Sequence, residues 1–99
     1  MIIPEKLKVG GKTYDVVVDK NLFNGAAHCT AEVDETALKI TIYPSAPDKM
    51  EADLLHEMMH AIYDHLGYKE HDEKVIDELA NALHMVIKDN PGVFAAKTE

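Results

Sequence analysis

The sequence contains no arginine, only one cysteine and no long apolar run. Its 10 basic residues are all lysine and stand against 18 acidic residues, which gives a formal net charge of −8. Binding to the phosphates of DNA or RNA, or to anionic lipid headgroups, requires a basic surface. The acidic balance and the missing arginine therefore argue against nucleic acid and against a membrane as partners.

The cysteine usage and the lack of apolar segments also bear on the location of the protein. Cys29 stands alone and cannot form a disulfide within the chain, so the fold should not depend on oxidation. No segment approaches the roughly 20 apolar residues that a membrane-spanning helix needs. The first residues also lack the apolar stretch of a signal peptide. These features predict a cytoplasmic protein.

The first half of the chain has the short apolar period that is typical of β-strands. Two turn motifs, Gly10-Gly11 and Asp34-Glu35-Thr36, each separate a pair of segments rich in apolar residues. We predict one hairpin at each turn. The four predicted strands are Leu7–Val9, Tyr14–Val18, Thr30–Val33 and Leu38–Tyr43.

The second half has a helical period. The first helix is predicted to begin at Asp48, which forms a capping-box signature with Glu51, although Ser45 is an alternative N-cap. It should end just before Gly67. A second helix is predicted over residues 72–88. A length of 99 residues suits one domain, so we expect a single α+β domain over residues 1–99, with an antiparallel or mixed N-terminal sheet followed by two packed helices.

Residues 56–60 of the first predicted helix match the pattern H-E-x-x-H. Because residues i and i+4 lie one turn apart on one helix face, the rings of His56 and His60 can both reach a zinc ion at about 2.0–2.1 Å. Glu57 lies about 100° further round the helix. There its carboxylate can stand beside a zinc-bound water without being a ligand. The motif therefore predicts a zinc site, and the bland alternative is a pair of solvated histidines opposite the core.

A catalytic zinc site needs a third protein ligand, and the second predicted helix offers several. Glu73 is the first candidate, because it lies at the edge of that helix's apolar face, one turn from Ile76. Asp77, Glu78 and His71 are the alternatives. Asp77 also stands where it could accept a hydrogen bond from a ligand imidazole.

These motifs resemble those of zincin metallopeptidases, most closely the very short ones of phages and prophages, with a looser similarity to the ImmA/IrrE group. The resemblance rests on the strand region that ends at Ile40–Tyr43, on Leu54–Ile62 and on the acidic helix with Leu79–Leu83. It implies a small zincin-like domain in which zinc is held by His56, His60 and a downstream acid. In the ImmA/IrrE group that acid lies just before Ala-Asn, which favours Asp77 or Glu78 here.

The resemblance further implies a zinc metallopeptidase that hydrolyses peptide bonds in a protein or peptide substrate, with Glu57 as the general base. A zincin lays its substrate along the edge strand of the sheet, so Leu38–Tyr43 is the expected docking strand. Two other functions compete with this one. The chain could be a zincin-fold interaction module that binds zinc without catalysis, or a metal-free helical interaction protein of phage origin.

Overall fold

The computed structural model describes residues 2–22 and 30–94, so Cys29 lies outside the described residues. The chain first forms four strands and then two long helices, which confirms the predicted α+β class. The strands are β1 (Lys6–Val9), β2 (Lys12–Val18), β3 (Ala31–Asp34) and β4 (Lys39–Ile42). The helices are α1 (Pro47–His65), α2 (Glu73–Asp89) and the short α3 (Pro91–Phe94).

The sheet is mixed, and its strand order is β1-β2-β4-β3. β4 runs parallel to β2 and antiparallel to β3, so it lies inside the sheet. The prediction that Leu38–Tyr43 forms the edge strand is therefore wrong. The physical reason is burial on both faces, since Ile40 and Ile42 are 0% exposed and Thr41 between them is 6% exposed. In the part of the chain that the structure describes, β1 and β3 are the edge strands.

The turn between β1 and β2 depends on glycine. Gly10 and Gly11 have φ values of 57° and 88°, which glycine adopts without a steric penalty and which suit a tight hairpin. A Cβ atom at Gly10 would also overlap the ring of His65 at the end of α1. The predicted hairpin is thus confirmed, and it packs close to the C-terminal end of α1.

One face of the sheet packs against α1. The register places Ile40 beside both Val16 and Val33, and Leu54 and Ala61 of α1 belong to the same buried cluster. Burial of an aliphatic side chain of this size stabilises a fold by about 1.5–3 kcal/mol. This core holds α1 across the sheet and close to β3.

α1 begins in a different way from the predicted capping box. Its N-cap is Ala46, which makes no side-chain cap, and Pro47 is the first helical residue. Proline at this position has a φ suited to a helix and lacks only an N–H that would be unpaired anyway. Asp48 is therefore a first-turn acid, and neither it nor Ser45 is the N-cap.

α2 begins where the sequence predicts. The side chain of Asp72 accepts hydrogen bonds from the backbone N–H groups of Lys74 and Val75, so Asp72 is the N-cap and Glu73 is the first helical residue. Ile76 and Ala80 on the next turns are buried. α2 therefore packs with its first turn facing α1.

No helix within residues 2–22 and 30–94 is long and apolar enough to cross a lipid bilayer.

Candidate metal centre

His56 and His60 lie one turn apart on α1. They are on the opposite side of this helix from its core residue Leu54. Their ring centroids are 5.1 Å apart, and their side chains are 24% and 12% exposed. Together with Glu57 they form a group in which one nitrogen or oxygen atom from each residue lies within 4.8 Å of the other two. This group has the composition and the spacing needed to hold a metal ion.

Glu73, the first residue of α2, reaches the same place. Its Oε2 atom lies 3.2 Å from Nε2 of His56, and its Oε1 atom lies 3.0 Å from Nε2 of His60. Ligand atoms bound to one tetrahedral zinc ion at 2.0–2.1 Å lie roughly 3.4 Å apart. The two contacts of Glu73 are therefore close to the spacing between zinc ligands, and two imidazoles with one carboxylate are donors that zinc accepts. The residues fit a zinc ion.

The other candidates for the third ligand lie elsewhere. Asp77 lies beside Nδ1 of His56 and not beside Nε2, with its Oδ1 atom 3.4 Å from Nδ1. His71 likewise lies beside Nδ1 of His60, with its own Nδ1 atom 2.7 Å away. In residues 2–22 and 30–94 no hydrogen bond or ion pair joins Glu78 to either histidine. Of the four candidates, Glu73 alone thus contacts the Nε2 atoms of both histidines.

A hydrogen bond behind His60 favours one ring nitrogen of this residue as the carrier of its proton. Nε2 of His71 lies 3.1 Å from the carbonyl oxygen of Tyr68, which can only accept, so we assign the hydrogen of His71 to Nε2. Its Nδ1 then accepts from Nδ1–H of His60. With its proton on Nδ1, His60 keeps the Nε2 lone pair that a metal needs. Behind His56, Oδ1 of Asp77 lies 3.4 Å from Nδ1, which is an ion-pair contact without a hydrogen bond. Nε2 of His56 forms a hydrogen bond with Oε2 of Glu73, so a metal ion bound there would take the place of that hydrogen.

The charge state of His60 agrees with this assignment. Burial lowers the pKa of His60, although the carboxylate of Glu73 opposes the shift. A neutral imidazole is the form that binds a metal ion. Burial thus favours the binding form of this ring at neutral pH.

Glu57 is a buried carboxyl group with an unsatisfied oxygen. It is 6% exposed, and its Oε2 is the buried side-chain atom that lacks a hydrogen-bond partner in the described part of the chain. Burial raises the pKa of Glu57 to about 7, against the influence of the nearby His56. A carboxyl group with such a pKa can accept and return a proton at neutral pH. These properties suit a general base.

Two open clefts meet at this group. The first, of about 610 Å³, follows β3 and is bordered by Glu57 and His60. The second, of about 540 Å³, lies beside the segment between α1 and α2 and is bordered by His60, His71 and Glu73. A bound chain could therefore pass along β3 and across the group of histidines. The strand that borders this path is β3, and not the predicted Leu38–Tyr43.

The position of His71 behind His60 is not predicted by the sequence, which offers His71 only as an alternative metal ligand. The two residues are 11 positions apart. His60 belongs to α1, and His71 belongs to the segment between α1 and α2. No periodic pattern relates such positions. The contact follows from the path of the chain between α1 and α2.

The chain was compared with models of known protein families, with curated proteins and with solved structures. None of these comparisons gave a match. The geometry of His56, Glu57, His60 and Glu73 is therefore the basis on which a function is proposed.

Proposed function

We propose that this protein is a zinc-dependent metallopeptidase that hydrolyses peptide bonds in a protein or peptide substrate. The observation that carries the proposal is the convergence of two helices on one point. The Nε2 atoms of His56 and His60 lie 3.2 and 3.0 Å from the carboxylate of Glu73, beside the buried carboxyl group of Glu57. This is the set of groups that metal-assisted hydrolysis requires.

His56, His60 and Glu73 would hold the zinc ion. When bound, zinc supplies Lewis-acid chemistry, since it polarises a carbonyl group and makes water easier to deprotonate. His71 and Asp77 keep the two imidazole rings oriented through their Nδ1 atoms. The ligands are thus held in place before a metal ion arrives, which reduces the cost of binding it.

Glu57 moves the proton. It accepts a hydrogen ion from water while the water oxygen forms a bond to the carbonyl carbon of the substrate. The same proton then passes to the amide nitrogen as the C–N bond breaks, so that one water molecule yields a carboxyl group and an amine. A pKa of about 7 lets Glu57 hold the proton between these two events.

We propose the cytoplasm as the setting of this activity, because the single Cys29 offers no disulfide that would require an oxidising compartment. The substrate is accordingly a protein or peptide of the cell interior.

Zinc stoichiometry is the first test. The purified full chain should bind one zinc ion, and the His56→Ala variant should lose most of it. His65→Ala is the matched control, because His65 is an exposed histidine of the same helix that lies outside the group. Equal zinc content in all three proteins would rule out the site.

Hydrolysis is the second test. Glu57→Gln should retain zinc and lose peptide hydrolysis by about 10²- to 10⁴-fold, because the amide cannot accept the proton. A Gln variant that cleaves peptides as fast as the native chain would contradict the mechanism. Zinc binding without cleavage of any peptide in a mixed pool would instead favour the non-catalytic zinc-binding interaction module.

A further inference from the structure

We infer that the cleft selects extended peptide segments with a lysine or arginine side chain next to the cleaved bond, and that Glu35 and Asp64 bind this cationic side chain. The inference rests on the proposed hydrolase function and names the substrate class of the same site.

Acidic residues dominate the lining of the two clefts that meet at His60. Their lining includes a single lysine, Lys69, against six acidic residues. The acidic residues are Glu32, Asp34, Glu35, Glu57, Asp64 and Glu73. When ionised, these six acids outnumber the combined positive charges of Lys69 and a zinc ion, so such a cleft has a negative potential. It therefore attracts cationic peptides and repels acidic ones.

Glu35 and Asp64 form the most specific part of this acidic lining. Glu35 borders both clefts, and Asp64 borders the second. Burial raises the pKa of Glu35, and the neighbouring carboxyl group of Asp64 raises it further. Nζ of Lys12 lies 3.5 Å from Oδ2 of Asp64. Its positive charge also acts on Glu35, where it opposes the rise in pKa. A cation from the substrate would supply the missing charge.

Glu57 gives a second observation that points to a bound molecule in this cleft. Its side chain is 6% exposed and borders the cleft beside β3, yet its Oε2 atom has no hydrogen-bond partner in the described part of the chain. A buried polar atom of this kind is unfavourable unless water or a bound molecule provides a partner. The cleft therefore has the properties of a binding site in addition to a negative potential.

β3 explains how the peptide would be oriented. β4 pairs with one side of β3, through Glu32↔Thr41 and Asp34↔Lys39, and β3 borders the cleft as an edge strand of the described sheet. A peptide that adds to this edge is extended, and its successive side chains point to opposite faces. Glu35 follows the last residue of β3. It thus lies where the bound segment passes from β3 to the histidines.

The experiment compares three otherwise identical fluorogenic peptides with lysine, alanine or glutamate next to the cleaved bond. Cleavage by the zinc-loaded native chain gives kcat/KM, and fluorescence anisotropy with zinc-loaded Glu57→Gln protein gives affinity without cleavage. The lysine peptide should be preferred and the glutamate peptide should be the poorest. Glu35→Gln should reduce the lysine-to-alanine ratio about fivefold, which is the upper range for a partly exposed ion pair. Glu5→Gln, an exposed acid before β1, is the control and should retain the native ratio.

Equal use of the three peptides, or an unchanged ratio in Glu35→Gln, overturns the inference. Selective binding of the lysine peptide that is lost in the Glu35→Gln/Glu57→Gln double variant supports it even when the native chain cleaves nothing. In that case the proposed hydrolase function fails and the cationic specificity of the cleft stands. A chain that neither cleaves nor binds any of the peptides refutes both.

Discussion

Replacement of His71 by alanine should weaken zinc binding although it removes none of the proposed ligands. In the native chain, Nδ1 of His71 lies 2.7 Å from Nδ1 of His60, and the two rings stack with 5.0 Å between their centroids. Alanine removes both the acceptor that keeps the proton on Nδ1 of His60 and the ring that holds its orientation. Water can replace this acceptor only in part, because the side chain of His60 is 12% exposed.

The size of the effect follows from these contacts. Loss of a hydrogen-bond partner behind a ligand histidine typically reduces metal affinity by about 10- to 100-fold. This range corresponds to about 1.4–2.7 kcal/mol of binding free energy. We expect the upper half of it, because the hydrogen bond is short and shielded from solvent. His71→Gln should recover part of the loss, since its amide oxygen can accept the same proton.

Competition with a chromophoric zinc chelator at constant pH measures the dissociation constant. Tyr68→Phe is the matched control, because Tyr68 contacts His71 through its backbone carbonyl oxygen, which the substitution leaves in place. The control should bind zinc as the native chain does. A dissociation constant for His71→Ala within about twofold of the native value would refute the proposed role of His71.

Three further predictions concern the third ligand, pH and the core. Glu73→Ala should weaken zinc binding at least as much as His71→Ala in the same competition assay, whereas Glu78→Ala should not; the reverse order would make Glu78 the ligand. The hydrogen bond from His84 lowers the pKa of Glu51. Because the pKa is lower in the folded state, this stabilisation is complete above the ordinary value of 4.5 and is lost as the pH falls through the lower folded value. The free energy of unfolding from urea titrations should therefore fall as the pH is lowered from 6 to 3, and the fall should be smaller in His84→Ala; equal slopes would contradict the assignment. Leu54→Ala should lower the free energy of unfolding by about 2–5 kcal/mol in the same titrations, because Leu54 is 1% exposed in the core.

Local periodicity determined much of this structure. The fold class follows from a strand period that changes to a helical period after Tyr43, and the extent of α2 follows from the helical period over residues 72–88. The placement of His56 and His60 on one helix face follows from the helical repeat alone. These features depend on residues within a few positions of each other, and a sequence displays such relations directly.

The start of α1 is a local feature that was nevertheless predicted wrongly. Asp48 and Glu51 have the spacing of a capping box, yet the helix begins at Pro47. The side chain of Glu51 instead contacts Nε2 of His84 on α2, 2.9 Å away. A contact between helices thus replaced the local one, and it involves residues 33 positions apart.

The sequence by itself determined the α+β order of elements and the pairing of His56 with His60 on one face of α1. Only the tertiary structure decided that Glu73 meets both Nε2 atoms, that His71 stands behind His60 and that β3, rather than β4, borders the cleft. The physical reason is that these contacts arise from the packing of α2 on α1 and from the insertion of β4 beside β2. Such packing is selected by the burial of the whole core, and no spacing along the chain encodes it.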